Sequence, residues 1–237
     1  MLKNGNLQKK AAYEAAKLDP ENPRGAFDKL VAPGGYGALY VKVNGNIVDI
    51  VRARGGPPFV IKDGTHTADP TKEGTYKLGE GKSVKTSNWS TSQIMWDADI
   101  RQRPDGEIEF RDPGSAAWVL ATGTSCKLRY PLSIEDFKDD AGKIKQKWDL
   151  NDFGKRGYKL QNSPGLYLHT SAEDEFKALS GQSSELTHSH GCIHIDPLDR
   201  QKLEDNGYLH GGVNLRVRKY TAHLIPEKLR VEYLKSM

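Results

Sequence analysis

The dipeptide Asn44-Gly45 divides the run "ALYVKVNGNIVDIVRA" into two segments in which apolar and polar residues alternate. Alternation with a period of two is typical of a strand with one buried face, because successive side chains point to opposite sides. Asn-Gly between two such segments favours the tight turn of a β-hairpin, since both residues tolerate a positive φ. The sequence therefore predicts an antiparallel pair of strands here.

Further segments extend this β pattern. A second hairpin is predicted to turn at Pro104-Asp105-Gly106. Short apolar segments predict additional strands, namely "TYKL", "AAWVLATG", "GLYLHT" and "VNLRVRKY". One helix is clearly marked, because Asp196 is a suitable N-cap, Pro197 suits the first helical position, and Asn206-Gly207 suits the end. The predicted fold class is mainly β with a few short helices.

Three segments depart from the β pattern. Residues 5–18 carry apolar side chains at helical spacing, so we expect residues 1–33 to be an N-terminal helical extension. Residues 131–157 are highly charged and poor in β-branched side chains, which predicts a helical or loop insertion. The polar stretch 170–187 is predicted to be a loop with at most one helical turn.

The chain of 237 residues is long enough for one sizeable domain, which we place at residues 34–220, with a C-terminal tail at 221–237. It has no long apolar run, so neither a membrane span nor a membrane partner is expected. The net charge is +4 with mixed signs, so the basic stripe of a nucleic-acid-binding protein is not expected either. The first residues lack the apolar block of a secretory signal. That leaves a cytoplasmic protein, export by a route that reads no such signal, or a trimmed sequence.

The segment "LTHSHGCIHIDP" contains three histidines and one of the two cysteines of the chain. An extended segment turns alternate side chains to the same face. In this segment those side chains are His188, His190, Cys192 and His194. The other cysteine is Cys126, so no disulfide framework is expected. The segment has three interpretations: a metal site, a cysteine nucleophile with its base, or an inert strand end.

A cysteine attacks a carbonyl only as a thiolate, and its free pKa is near ~8.5, so a neighbouring base must take the proton. The candidate bases are His190, His194 and His169, the last of which ends the predicted strand "GLYLH". Gly191 permits a sharp turn, because it has no Cβ. Such a turn could aim the amides of Gly191 and Cys192 at a developing oxyanion.

The segment Ser189-His190-Gly191-Cys192-Ile193, preceded at a distance by a histidine that ends a strand, resembles the signature of the L,D-transpeptidase catalytic domain family. The segment "ADPTKEGTYKLG" is similar to the Thr-Pro-x-Gly-x-Tyr segment between early strands of that family. The resemblance extends over about residues 37–218 and implies a β-sandwich or barrel. It also implies that the chain is an enzyme that acts on peptidoglycan.

The resemblance implies a role for each matching position. Cys192 is the expected nucleophile, His169 the base that activates it, and His190 the residue that orders the thiolate and its loop. Ser189 and Gly191 are expected to shape the turn, with the amides of Gly191 and Cys192 forming the oxyanion hole. Neither a cofactor nor a metal is implied.

Two further side chains are candidate substrate contacts, His194 and Tyr76. His194 occupies a position that is usually Arg or Asn in the family. Tyr76 could lend its hydroxyl to an oxyanion hole. We interpret Trp89, Trp96 and Trp118 as core or hairpin packing rather than as a platform for a sugar, because large rings usually stabilise small β-domains.

Two alternatives use the same residues. The pair His188 and His190, completed by Cys192 or His169, has ligand types that suit a zinc-dependent peptidase. No carboxylate or third histidine at a recognisable spacing supports that site, and a Gly-Cys step is not required by a metal. The other alternative is a wall-binding module without catalysis, against which the presence of Cys192, His169 and His190 argues.

The sequence thus predicts cysteine-dependent acyl transfer on peptidoglycan stem peptides. A thioester on Cys192, formed by cleaving the bond between an L-centre and D-alanine, would be resolved by an amine or by water. One version of this hypothesis is an antibacterial effector that acts in the periplasm, with an immunity protein or a secretion adaptor as a partner. The other is a cytoplasmic L,D-carboxypeptidase that recycles wall fragments.

Overall fold

A computed structural model describes residues 27–28, 36–43, 46–56, 70–186 and 189–217. The predicted helix at 5–18 and the predicted tail at 221–237 lie outside these residues. The strands are β1 Phe27–Asp28, β2 Tyr36–Val43, β3 Asn46–Arg54, β4 Gly74–Lys77, β5 Asp99–Gln102, β6 Ile108–Arg111, β7 Val119–Leu120, β8 Gly157–Lys159, β9 Tyr167–His169, β10 Ile193–Ile195 and β11 Asn214–Val217. The α-helices are α1 Ala172–Leu179 and α2 Pro197–Asp205, and short 3-10 helices cover Thr91–Gln93 and Ile134–Phe137.

Eight strands form one curled sheet in the order β4-β11-β1-β2-β3-β10-β9-β8. The first predicted hairpin is confirmed, because β2 and β3 pair antiparallel with Leu39 opposite Val51. β1, which falls inside the range predicted as a helical extension, pairs with β2 and β11 in this sheet.

The two ends of the strand order meet. Leu78, directly after β4, bridges Leu160, directly after β8. The Gly79 amide donates to the Lys159 carbonyl at 2.8 Å in the same place. The sheet therefore closes on itself, and the predicted mainly β, barrel-like fold is confirmed.

The barrel core is the apolar cluster inside this sheet. Alternation in β2 and β3 turns Leu39, Val41, Val51 and Ala53 inward, as the hairpin pattern predicts. The other buried members are Leu78, Tyr158, Leu160, Leu168, Ile193, Ile195, Leu203, Leu209, Leu215 and Val217. Burial of each large aliphatic side chain stabilises the fold by about 1.5–3 kcal/mol.

A second apolar core lies in residues 85–151, between β4 and β8, which we call the inserted subdomain. Here β5, β6 and β7 form a three-stranded antiparallel sheet, which confirms the hairpin predicted at Pro104-Asp105-Gly106. The second core consists of Ile94, Ala98, Ile100, Ile108, Phe110, Ala121, Leu132, Phe137 and Trp148. The inserted unit is thus larger than the charged stretch that the sequence indicated.

The charged stretch 131–157 contains one 3-10 helix and is otherwise mostly turns and loop, which fits the prediction of a helical or loop segment. After the 3-10 helix the chain turns through Gly142, whose φ is 75°, and returns so that Lys138 bridges Ile144. The turn interrupts any helix. It brings Trp148 against Phe137, with ring centroids 5.0 Å apart.

The helices give one correction and one confirmation. The expectation of a loop with at most one helical turn at 170–187 is wrong, because α1 spans eight residues there. Ser171 caps α1 by accepting from the Asp174 amide, and three acidic residues occupy the first turn, which favours the helix dipole. α2 is confirmed, with Asp196 accepting from the Leu198 amide at 2.8 Å. No helix in the described ranges is long and apolar enough to cross a membrane.

Candidate active site

Cys192 and His169 lie on the outer face of two adjacent strands. β9 and β10 run parallel, with His169 opposite His194. Leu168 and Ile193 belong to the barrel core, so alternation turns their neighbours His169 and His194 to the other face of the sheet. Cys192 precedes β10 and has the same parity as His194. Strand pairing therefore carries His169 and His194 to one face, and Cys192 lies directly before the paired strand β10.

A tight turn delivers Cys192 to the start of β10. The buried Ser189 hydroxyl donates to the Cys192 carbonyl and closes the turn. Gly191 has a φ of 100°, which side chains with a Cβ disfavour. These two residues shape the turn in the structure. The orientation of the Gly191 and Cys192 amides toward an oxyanion remains a prediction.

The segment before the turn is clamped from two sides. The Arg54 guanidinium donates to the Leu186 carbonyl, and Arg52 donates to the Ser184 hydroxyl at 2.9 Å. From the opposite element, the Asp174 carboxylate accepts from the Leu186 amide at 3.3 Å. Leu186 is fully buried and has a φ of 54°, an uncommon conformation for leucine that this clamp stabilises.

His169 is buried and presents a neutral ring. Its Nδ1 donates to the Thr170 carbonyl, which leaves the lone pair on Nε2. Burial lowers the pKa of His169 to about 4, because desolvation disfavours the imidazolium, although the Thr170 carbonyl opposes this shift. At neutral pH the ring can therefore accept a proton.

Cys192 is half-buried and carries a protonated sulfur. Burial raises the pKa of the thiol to about 11, and a hydrogen bond from the backbone of Tyr167 opposes the shift. The thiol lies 4.0 Å from the Gly165 carbonyl. These pKa shifts favour a neutral thiol and a neutral imidazole as the resting pair.

A cavity of about 390 Å³ is lined by most of the side chains that the sequence predicts to be catalytic or substrate-binding. Its lining includes Cys192, His169, His190 and His194. Tyr76 is not among its lining residues. It sits in β4, packs against the barrel core, and donates its hydroxyl to the Lys72 carbonyl at 2.9 Å. The structure therefore gives no support to Tyr76 as a substrate contact.

His194 and His190 occupy different parts of this cavity. His194 is 5% exposed, and its ring contacts that of His169 edge-on with centroids 4.4 Å apart. His190 is exposed and its ring lies 5.7 Å from that of Trp89. His194 therefore contacts the proposed base, whereas His190 forms part of the outer wall.

Sequence reasoning missed six lining residues, namely Trp89, Asp152, Phe153, Ser171, Ala172 and Glu173. The interpretation of Trp89 as core or hairpin packing is wrong, because the residue is 46% exposed and belongs to no strand. Trp89 lies in the polar segment "KTSNWSTS", whose apolar residues follow neither a strand period nor a helix period. That segment could have indicated that Trp89 is exposed.

Asp152 places a carboxyl group in the lining of the cavity. Desolvation raises the pKa of its carboxyl, although the Thr91 hydroxyl donates to it. Glu173, at the start of α1, is a second carboxylate in the lining and pairs with Lys177 at 2.6 Å. Among the lining residues that the structure describes, neither a lysine nor an arginine occurs.

The zinc alternative depends on a residue that the structure does not describe. His188 lies outside the described residues. Within the described ranges, no group of three or more histidine, cysteine, aspartate or glutamate side chains is arranged to hold a metal ion. The zinc site therefore remains a prediction without support.

A family model described as YkuD, the L,D-transpeptidase catalytic domain, matches residues 37–206. No curated protein matches the chain. The matched range begins in β2 and ends after α2, so it includes the cavity and the inserted subdomain.

Proposed function

Because this chain belongs to the L,D-transpeptidase catalytic domain family, we propose that it transfers acyl groups on peptidoglycan stem peptides through the sulfur of Cys192. The observation that carries this proposal is the shared cavity of Cys192 and His169. A nucleophile and a base that line the same cavity satisfy the basic requirement of cysteine acyl transfer.

In the first half-reaction, Nε2 of His169 takes the thiol proton as the sulfur attacks a carbonyl carbon. That carbonyl belongs to the L-centre of the diamino acid, which is bonded to the terminal D-alanine. The tetrahedral oxyanion forms beside the turn, where the amides of Gly191 and Cys192 would stabilise it. The C–N bond then breaks, His169 returns the proton to the leaving amine, and a thioester remains on Cys192.

In the second half-reaction an acceptor amine or water attacks the thioester. His169 takes a proton from the acceptor, and the C–S bond breaks. The sulfur leaves and regains its proton from His169. An amine acceptor gives a cross-link or a D-amino-acid exchange, and water gives an L,D-carboxypeptidase.

The charge of the cavity favours an amine acceptor. Asp152 lines it, and an acceptor that arrives as a cationic ammonium is attracted to a carboxylate at short range before it loses a proton to solvent and attacks as the free amine. Trp89 beside the exposed His190 offers an apolar surface for the rest of the acceptor. This lining supports transfer to an amine over hydrolysis.

The site of action is a separate part of the proposal. We propose periplasmic action as an antibacterial effector, with cytoplasmic recycling of wall fragments as the alternative. The protein is expressed with and without an added export signal. Toxicity confined to the exported form supports the effector, and absence of toxicity in both forms favours recycling.

The proposed chemistry is tested with purified muropeptides and mass spectrometry of the products. Cys192→Ala is expected to abolish release of D-alanine from tetrapeptides. Cys126→Ala is the matched control, because this half-buried thiol donates to the Leu120 carbonyl and does not line the cavity. Full activity of Cys192→Ala would exclude the proposal.

Two reagents separate this proposal from its alternatives. Iodoacetamide is expected to remove activity and a chelator to leave it intact, whereas the reverse result would favour zinc. A carbapenem is expected to acylate Cys192, which adds its mass to the protein. Binding to sacculi without any product would favour the inactive wall-binding module.

A further inference from the structure

His194 contacts the imidazole that the proposed function uses as its base. Strand pairing places it opposite His169, and the two ring planes meet at 63° with centroids 4.4 Å apart. Each of the two residues is only 5% exposed. The ring of Phe153 also contacts His169, with centroids 4.8 Å apart. His169 is therefore packed by two aromatic neighbours.

The direction of the His169 ring decides whether it can act. Its Nδ1 is occupied by the Thr170 carbonyl, so only Nε2 can take a proton from the thiol. Rotation of the ring by half a turn would exchange the two nitrogens. Thr170, whose carbonyl accepts this hydrogen bond, is itself held in place, because its hydroxyl donates to the buried Glu175 at 2.6 Å. The ring contacts with Phe153 and His194 restrain the imidazole itself.

Several titratable groups surround His169. Those that share the cavity with it are Asp152, Glu173, His190, Cys192 and His194. Glu175 reaches it through Thr170, and the facing residue of β8 is Gly157, which has no charge. Of all these side chains, His194 is the one whose ring is in direct contact with the ring of His169.

We propose that His194 is a positioning residue for His169, an inference that rests on the proposed function. Its ring edge keeps Nε2 of His169 turned toward the cavity and keeps water away from the imidazole. This role uses the ring of His194, which is the part of the side chain that contacts His169.

Removal of the ring has two physical consequences. A void opens beside His169, so the imidazole can rotate and lose the alignment that proton transfer requires. Water enters the void and solvates the imidazolium. Since burial is what lowers the pKa of His169 to about 4, solvation moves that pKa toward the ordinary value near ~6.5.

The test compares His194→Ala and His194→Phe by the rate at which iodoacetamide alkylates Cys192, measured by mass spectrometry. The measurements run from about pH 3.5 to about pH 8, which covers both the lowered and the ordinary pKa of a histidine. His194→Ala is expected to slow alkylation about tenfold at neutral pH and to move the acidic midpoint upward from about 4. His194→Phe keeps a ring edge and is expected to stay within about threefold of the parent protein. His210→Ala is the matched control, because that histidine is exposed and bonds its own loop at the Gly211 carbonyl.

Two results would overturn the inference. One is a parent-like rate and acidic midpoint in His194→Ala. The other is a folded His194→Phe variant that loses as much as His194→Ala, since that would require the nitrogen atoms. Circular dichroism checks folding, and His194→Phe decides the question if His194→Ala does not fold. Alkylation needs no peptide, so absence of D-alanine release in the parent protein would remove the proposed function while leaving this result readable.

Discussion

The barrel and the inserted subdomain contribute to the same cavity in different ways. The barrel supplies Cys192, His169 and His194 from two paired strands, where the register and the buried neighbours fix each side chain. The inserted subdomain supplies Trp89 from a loop, with 46% of the side chain exposed. From this comparison we expect the proposed chemistry to depend on the strands and substrate recognition to depend on the loops.

Two chain segments, around Val84 and Asn151, lead into and out of the inserted subdomain, and we call them its neck. The fully buried Asn151 amide donates to the Val84 and Ile94 carbonyls, each at 2.8 Å. Next to it, the Thr91 hydroxyl donates to Asp152. These bonds hold together the chain segments at which the inserted subdomain begins and ends.

The largest expected effect on the inserted subdomain comes from Trp148→Ala. Trp148 is fully buried in the second core, so its removal is expected to cost about 3–5 kcal/mol of unfolding free energy. Urea unfolding followed by circular dichroism measures this loss. Trp118→Ala is the matched control, because Trp118 is half-buried between the guanidinium groups of Arg101 and Arg111. An equal loss in both variants would contradict a second core centred on Trp148.

Trp89→Ala is expected to separate recognition from chemistry. Loss of the exposed ring removes a wall beside His190 but leaves the strand pairing intact. The KM for muropeptides is expected to rise about tenfold while kcat changes less, because the ring binds ground state and transition state alike. Trp89→Phe should recover most of the affinity. A fall in kcat at an unchanged KM would show that the wall takes part in the chemical steps.

Asp152→Asn is expected to have the smallest effect of the three. The variant removes a negative charge beside the cavity, so amine acceptors lose attraction relative to water. The ratio of transfer to hydrolysis products is expected to fall about threefold, in line with a charge that is partly exposed. Asp105→Asn, on the exposed turn of the second hairpin, is the control. An unchanged product ratio in Asp152→Asn would remove the acceptor role of this carboxylate.

Local signals in the sequence predicted much of the barrel. The Asn44-Gly45 hairpin and α2 both depend on turn or capping residues within a few positions of each other, so short-range chemistry decides them. The cysteine motif likewise marked the site by its own residues. α1 carried the same kind of signal, Ser171 followed by Asp174, which the polar composition of the segment obscured.

Local sequence signals did not predict the inserted subdomain, the contact between His194 and His169, or the raised pKa of Cys192. Trp148 meets Phe137 across a turn and packs beneath strands that lie far from it in sequence, so no local pattern indicates the second core. The contact of His194 with His169 requires the pairing of β9 with β10. The raised pKa of Cys192 depends on burial, which the assembled walls determine.

The central claim is that His169 takes the proton of a thiol that burial keeps neutral. It is tested most directly by the pH dependence of Cys192 alkylation in the parent protein and in His169→Ala. In the parent, neutral His169 assists the thiol above its pKa of about 4 and below the thiol pKa of about 11, so the rate is expected to be flat around neutral pH and to fall below about 4. In His169→Ala only the free thiolate reacts, so the rate is expected to fall about tenfold for each unit of decreasing pH. Identical pH profiles in the two proteins would contradict the claim.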